Sequence, residues 1–204
     1  MVFTNVYEMI TPPHVIKKSW FVDYFDGLQA KLYWNFTNII GSGSSIIETG
    51  IDAGLRIQTG ATDDNESGIN FSDIRHYSQT GCVAHIVSDR DTGTRSRGGF
   101  SENVDMTNSF AFVENDPDDT FYQIVSDDGT TETTTDTSIV DDILVHRHKL
   151  ELTSANIQLT MDGILESTKT TNRPDQPQQP FYAVKARAAG SHVGHIRYYE
   201  AYNT

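Results

Sequence analysis

Short apolar or alternating runs, cut at intervals of about 8 to 15 residues by clusters of Gly, Asn, Asp, Ser and Pro, constrain this chain more than any other feature. They fall at 55–58, 69–72, 83–87, 110–113, 121–125, 144–152, 157–161, 181–187 and 196–202. No window sustains apolar residues at i, i+3, i+4 and i+7 between caps, so no helix is predicted. Strands this short and this regularly punctuated can bury their apolar sides only against each other, which predicts an all-β, two-sheet antiparallel sandwich.

Three punctuation marks add detail. Asp162-Gly163, between IQLTM and ILEST, predicts a two-residue hairpin with positive φ at the turn. Asp128-Gly129 predicts another, leading into the Thr-rich segment 130–137, whose β-branched residues suit a solvated edge strand. The run 172–180, NRPDQPQQP, predicts a surface loop up to Phe181, because proline donates no ladder hydrogen bond.

Composition excludes several function classes. At 204 residues the chain should bury roughly 70% of its unfolded surface and needs no disulfide or metal to fold. The lone Cys82 leaves no disulfide framework or multi-cysteine metal site, and a buried cysteine behaving as a small hydrophobe is expected. With 28 acidic against 15 basic side chains the net charge is -13, which opposes nucleic-acid binding. No run reaches the ~20 apolar residues of a membrane helix, and the first residues lack the basic and apolar regions of a secretory signal. An acidic exterior that salt would screen fits a saline or extracellular setting.

Residues 1–18 read differently from 19–204. Thr11-Pro12-Pro13 breaks any element, leaving a strand-like VFTNVYEMI detached from the body. Such a segment is expected to add a strand to its own sandwich or to act as an extended assembly arm, with Phe3, Val6, Tyr7, Pro12 and Pro13 as its contact residues.

The order of signals in the C-terminal third carries a resemblance. It runs from HRHKLEL at 146–152 through a strand ending at Met161-Asp162-Gly163, the proline-rich loop and 181–188 to the closing segment 195–202. With the early segment 20–28, WFVDYFDGL, this resembles the jelly rolls of concanavalin A-like lectins and glucanases, over residues 19–204. The resemblance implies two packed antiparallel sheets and a face that often binds carbohydrate. The chain looks most like the compact, cysteine-poor versions in structural proteins of tailed phages and archaeal viruses.

Glucanases of the resembled family carry an E-x-D-x-x-E pattern on one strand, whose carboxylates flank the scissile bond. The nearest match is Glu114-Asn115-Asp116-Pro117-Asp118-Asp119, which ends in Asp and has proline where the strand should continue, so it reads as a turn. Calcium, the candidate cation, needs 6 to 8 oxygen ligands. Asp116, Asp118 and Asp119 are the preferred cluster, ahead of Asp63, Asp64 and Glu66 or Asp89 and Asp91. His146 and His148 share a strand face and could hold a transition metal if His192 or His195 approached. No nucleophile elbow, phosphate loop or dinucleotide fingerprint is present.

For carbohydrate binding, Trp34 with Asn35 and Tyr77 with Arg75 are the candidate aromatic platforms. The triplets beginning at Asn35, Asn65 and Asn70 are glycosylation sequons. The leading expectation is a non-enzymatic virion-surface protein of decoration, turret, spike or tail-fibre type. It would assemble as a homo-oligomer on other structural proteins and recognise host glycans. A free lectin is the alternative, and a glycan hydrolase comes third.

Overall fold

A computed structural model describes residues 21–25, 34–48 and 53–204. The expected arm over 1–18, with Phe3, Val6, Tyr7, Pro12 and Pro13, lies outside the described residues. Fifteen strands appear among the described residues, all in antiparallel ladders. In chain order they begin with β1 (Phe21–Asp23), β2 (Asn35–Ile40), β3 (Gly43–Glu48), β4 (Gly54–Thr59) and β5 (Glu66–Asn70). The middle of the chain gives β6 (Gly81–Arg90), β7 (Thr94–Ser101), β8 (Phe110–Asn115), β9 (Phe121–Asp127) and β10 (Glu132–Val140). The last five are β11 (His146–Thr153), β12 (Ile157–Met161), β13 (Ile164–Lys169), β14 (Gln179–Ala186) and β15 (Val193–Asn203).

The strands form two sheets packed face to face. The first runs β13-β12-β11-β6-β15-β4-β3, with β1 paired to the C-terminal half of β15. The second runs β10-β9-β8-β7-β14-β5-β2. This is the two-sheet antiparallel sandwich that the sequence predicts, and it follows from period-2 patterning. On β11, His148, Leu150 and Leu152 point inward, and on β12 Ile157, Leu159 and Met161 do the same. They meet Ala111, Val113, Ile124, Tyr182 and Val184 of the second sheet in one core.

The turns show where residue chemistry decides geometry. Asp162 and Gly163 adopt φ of 48° and 90°, as the predicted tight hairpin between β12 and β13 requires. The Asp128-Gly129 turn departs from a two-residue hairpin, since four residues separate β9 from β10. The Asp128 carboxylate accepts hydrogen bonds from the backbone N–H groups of Thr130 and Thr131, so the side chain closes a longer loop. The proline-rich segment also ends earlier than expected. Gln179 and Pro180 already belong to β14, where proline stands among the first two residues and disturbs little of the ladder.

Strand β7, reading TRSRGGFS, is central in the second sheet although it shows no apolar alternation. Its Gly99 lets the backbone of β8 come close. A Cβ there would stand 2.5 Å from the Ala111 carbonyl oxygen and 2.8 Å from the Phe112 Cα. Gly99→Ala is therefore expected to cost about 1 to 3 kcal/mol, read as a lowered urea midpoint.

Candidate functional site

The outer face of the second sheet carries two adjoining patches. Phe110 and Phe112 of β8, Val125 of β9 and Phe181 and Ala183 of β14 form a second apolar cluster, joined by Met106 of the β7–β8 loop. Beside it the same face becomes charged, because register puts Arg95 opposite Lys185, Lys185 opposite Glu66, and Arg97 opposite Glu114. The Arg97 guanidinium carbon lies 4.9 Å from the Phe112 ring centroid and links the patches.

At the end of β8 the chain turns through 116–119, and the turn brings three carboxylates together. One oxygen from each of Glu114, Asp116 and Asp119 lies within 4.8 Å of the others. Glu114 and Asp116 are buried and Asp119 is partly exposed. The Asp119 backbone N–H donates to the Asp116 carbonyl at 2.9 Å, which fixes the turn.

Arginines from neighbouring strands hold two of these carboxylates. Arg97 Nε donates to Glu114 Oε2 at 2.6 Å, while Arg95 Nε stands 3.7 Å from the same oxygen and 3.9 Å from Asp116. Arg187 Nε is 3.0 Å from both Asp116 oxygens. Glu66 faces both β7 arginines at 3.7 and 3.9 Å. The buried Glu66 Oε1 and Arg95 Nε have no hydrogen-bond partner, so the network is tightly charged but incompletely bonded.

The electrostatics separate the three acids. Partial desolvation raises the Asp119 pKa above the usual carboxylate value, and the charges of Asp116 and Glu114 push in the same direction. The Arg187 pKa is raised, because the carboxylate of Asp116 outweighs the desolvation that opposes it. One acid that holds its proton more tightly, beside two in arginine ion pairs, is an arrangement that suits acid–base work.

Sequence reasoning named Asp116, Asp118 and Asp119 for calcium, and the structure modifies that set. Glu114 joins Asp116 and Asp119, whereas Asp118 is mostly exposed. Asp116 gives both oxygens to Arg187, and a cation would have to displace that guanidinium. The other acidic clusters are tied up as well. Asp64 pairs with Lys185 at 2.6 Å, Asp89 with His195 and Arg197, and Asp91 accepts from the backbone of Gly93 and Val193.

The histidines do not form a metal site among the described residues. His146 and His148 do share a face, but His146 is bonded to Asp142 and Asp162 while His148 is buried against Tyr122. His192 and His195 pair with Asp91 and Asp89.

The proposed carbohydrate platforms are corrected. Trp34 is in the core, donating its Nε1–H to Asp23 and packing edge-on to Phe21, Phe71 and Tyr199. Tyr77 is likewise buried, against Phe100. Aromatic area was better used inside the sandwich than outside it. Arg75 pairs with Glu102 at 2.8 Å, away from any exposed ring face of Tyr77. Of the three sequons, Asn35 is exposed, but Asn65 and Asn70 are buried and closed to a glycan without unfolding. Cys82 is a buried free thiol, as expected.

The residues that complete the carboxylate site, Glu66, Arg95, Arg97 and Arg187, were not found from the sequence. Arg95 and Arg97 stand at i and i+2 with Ser96 between them and Gly98 after, a spacing that places both on one strand face.

Comparison with known proteins yields fold neighbours. No family model matches the sequence, and no curated protein is similar to it. Among solved structures, the Bacillus licheniformis β-glucanase superposes with a TM-score of 0.62 at 12% identity, over 91% of this chain and 98% of that one. An apo Crh5 transglycosylase gives 0.65 at 15%, over 91% and 85%. The laminarinase catalytic domain of Thermotoga maritima gives 0.64 at 11%, over 90% and 97%.

These matches establish the jelly-roll sandwich, and the proteins that share it here are glycan-cleaving or glycan-transferring enzymes. They overturn the expectation of a non-enzymatic virion-surface protein. That reading rested on element order, which enzymes and non-enzymes of this fold have in common, and on dismissing residues 114–119 as a mere turn. The turn is real, but it gathers the carboxylates rather than scattering them.

Proposed function

We propose that this protein acts on β-linked glycans by hydrolysis or transglycosylation, with Glu114 as nucleophile, Asp119 as acid and base, and Asp116 as the group between them. The observation that carries this is the convergence of three carboxylates within 4.8 Å, one with a raised pKa. The likeness in fold to a β-glucanase, a laminarinase and a transglycosylase supports the choice of substrate class.

Carboxyl groups about 5 to 5.5 Å apart suit retention, whereas inversion needs room for a water between them. Glu114 would attack the anomeric carbon as Asp119 gives its proton to the departing glycosidic oxygen. Asp119 would then take a proton from water, or from an acceptor sugar hydroxyl, which releases Glu114. The ion pairs from Arg97 and Arg187 hold Glu114 and Asp116 in place.

A second reading, glycan binding without cleavage, is favoured by one observation. Phe112 and Phe110 occupy the outward positions two and four residues before Glu114, so the carboxylates sit at the strand end rather than along it. Incubation with laminarin, mixed-linkage β-glucan and chitin oligomers, followed by product analysis, separates the two. Shortened or transferred products that vanish in Glu114→Gln support catalysis. Binding with no product from the wild type overturns it in favour of the second reading.

A further inference from the structure

The outer face of the first sheet, on the opposite side from the carboxylates, carries a groove of about 920 Å³. Register builds it in two rows. Tyr198 of β15, Val87 of β6 and Arg147 of β11 lie side by side, and the next row holds Glu200, His85, Lys149 and Thr160. With neighbouring strands about 4.8 Å apart, Tyr198 and Arg147 stand roughly 10 Å from one another across a valine floor. Tyr24, more than half exposed, extends the aromatic end, its ring centroid 5.1 Å from that of Tyr198.

The polar groups here are unequal. Lys149 is paired with Glu151 at 2.6 Å, and Glu200 accepts the Tyr198 hydroxyl at 3.0 Å. Asp162 is occupied by His146 and by the Arg147 backbone N–H. The Arg147 guanidinium is exposed, and no carboxylate of the described residues meets it, although the protein carries a net charge of -13. A cation that meets no carboxylate of the described residues, at the far end of a groove from two tyrosine rings, matches a ligand with an apolar ring face and one anionic group.

We propose that this groove is a saccharide-binding site for a glycan bearing an acidic substituent, a uronate carboxylate or a sulfate ester. A sugar ring stacks on Tyr198 and Tyr24 while Arg147 takes the anion. The overall negative charge works against densely charged polymers, so the fitting ligand carries isolated acidic groups on a largely neutral chain. The site is independent of turnover at Glu114 and stands whether or not that reaction occurs.

The test is titration calorimetry with three probes: a neutral oligosaccharide bearing a single glucuronate, a singly sulfated neutral oligosaccharide, and laminarin oligomers. Wild-type protein is expected to bind the uronate, the sulfated probe or both more tightly than laminarin, and the arm that binds identifies the anion. Arg147→Gln, at an exposed position, should weaken the acidic probes at least tenfold and leave laminarin unchanged. Tyr198→Phe, which keeps the ring, should bind as wild type, and Tyr198→Ala should weaken every probe, with thermal melts confirming the fold. Product formation on β-glucan should be the same in all three variants. No binding of either acidic probe, or binding insensitive to Arg147→Gln, would overturn the proposal.

Discussion

Glu114→Gln is expected to reduce product formation from β-linked glucan by a factor of at least 10³ while the sandwich remains folded. The amide keeps the size of the side chain and an oxygen facing the Arg97 Nε, which now donates at 2.6 Å, but it cannot attack the anomeric carbon. Asp119→Asn should fail differently. Loss of a general acid costs typically 10² to 10⁴ with a poor leaving group and far less with a dinitrophenyl glycoside, whose leaving oxygen needs no proton. The alkaline limb of kcat/KM should fall above the ordinary carboxylate range, because burial and the neighbouring acids raise the Asp119 pKa. That limb should vanish in Asp119→Asn. Equal loss on both substrate types in both variants would contradict the division of roles.

The second large effect concerns stability in acid. Burial, assisted by the positive charge that His146 can carry and opposed by Asp162, lowers the His148 pKa to about 4 from its ordinary 6.5. The unfolded chain therefore binds a proton between these values that the folded chain refuses. The contribution is fully present above pH 6.5 and is lost as pH falls to 4, about 3 kcal/mol in all. For a chain of this length that is a fall of roughly 6 to 12 °C in melting temperature.

His148→Phe removes the titration at a site that already leaves Nδ1 without a partner and packs on Tyr122. Its urea midpoint should decline less steeply than that of the wild type between pH 6.5 and 4. Parallel profiles would refute the assignment. His146 and His195 act with the opposite sign. The His146 pKa, despite desolvation, is raised by Asp162 and Asp142, and the His195 pKa is raised chiefly by its hydrogen bond to Asp89. Their stabilisation is complete below pH 6.5 and is lost as pH rises through the raised values.

Much of the architecture could be read without coordinates wherever one face of a strand is apolar and the other polar. Strands β11 and β12, the hairpin at Asp162-Gly163 and the Thr-rich edge strand β10 are of this kind. Strand β7 could not be read so, because both of its faces are unusual. Gly98 lies against Tyr182 and Ile86 on the inside, and Arg95 and Arg97 point outward into ion pairs. A strand covered by charge on one side and narrowed to glycine on the other has no hydrophobic period to detect.

What the sequence determined by itself is the fold class, since short alternating runs without helical periodicity have only each other to bury against. It also singled out Glu114, Asp116 and Asp119, though it reads 114–119 as a turn and Asp116 and Asp119 as part of a cation cluster. The tertiary structure alone decided which neighbours those acids meet. Glu66, Arg95, Glu114 and Arg187 come from four strands or their ends, more than 100 residues apart at the extremes, and only the β5-β14-β7-β8 order sets them side by side. The same is true of the groove on the other face, where Tyr198 and Arg147 share a row because β15 and β11 both pair with β6. Local patterning records whether a residue faces in or out, whereas strand order, fixed by burial of the whole core, records whom it faces.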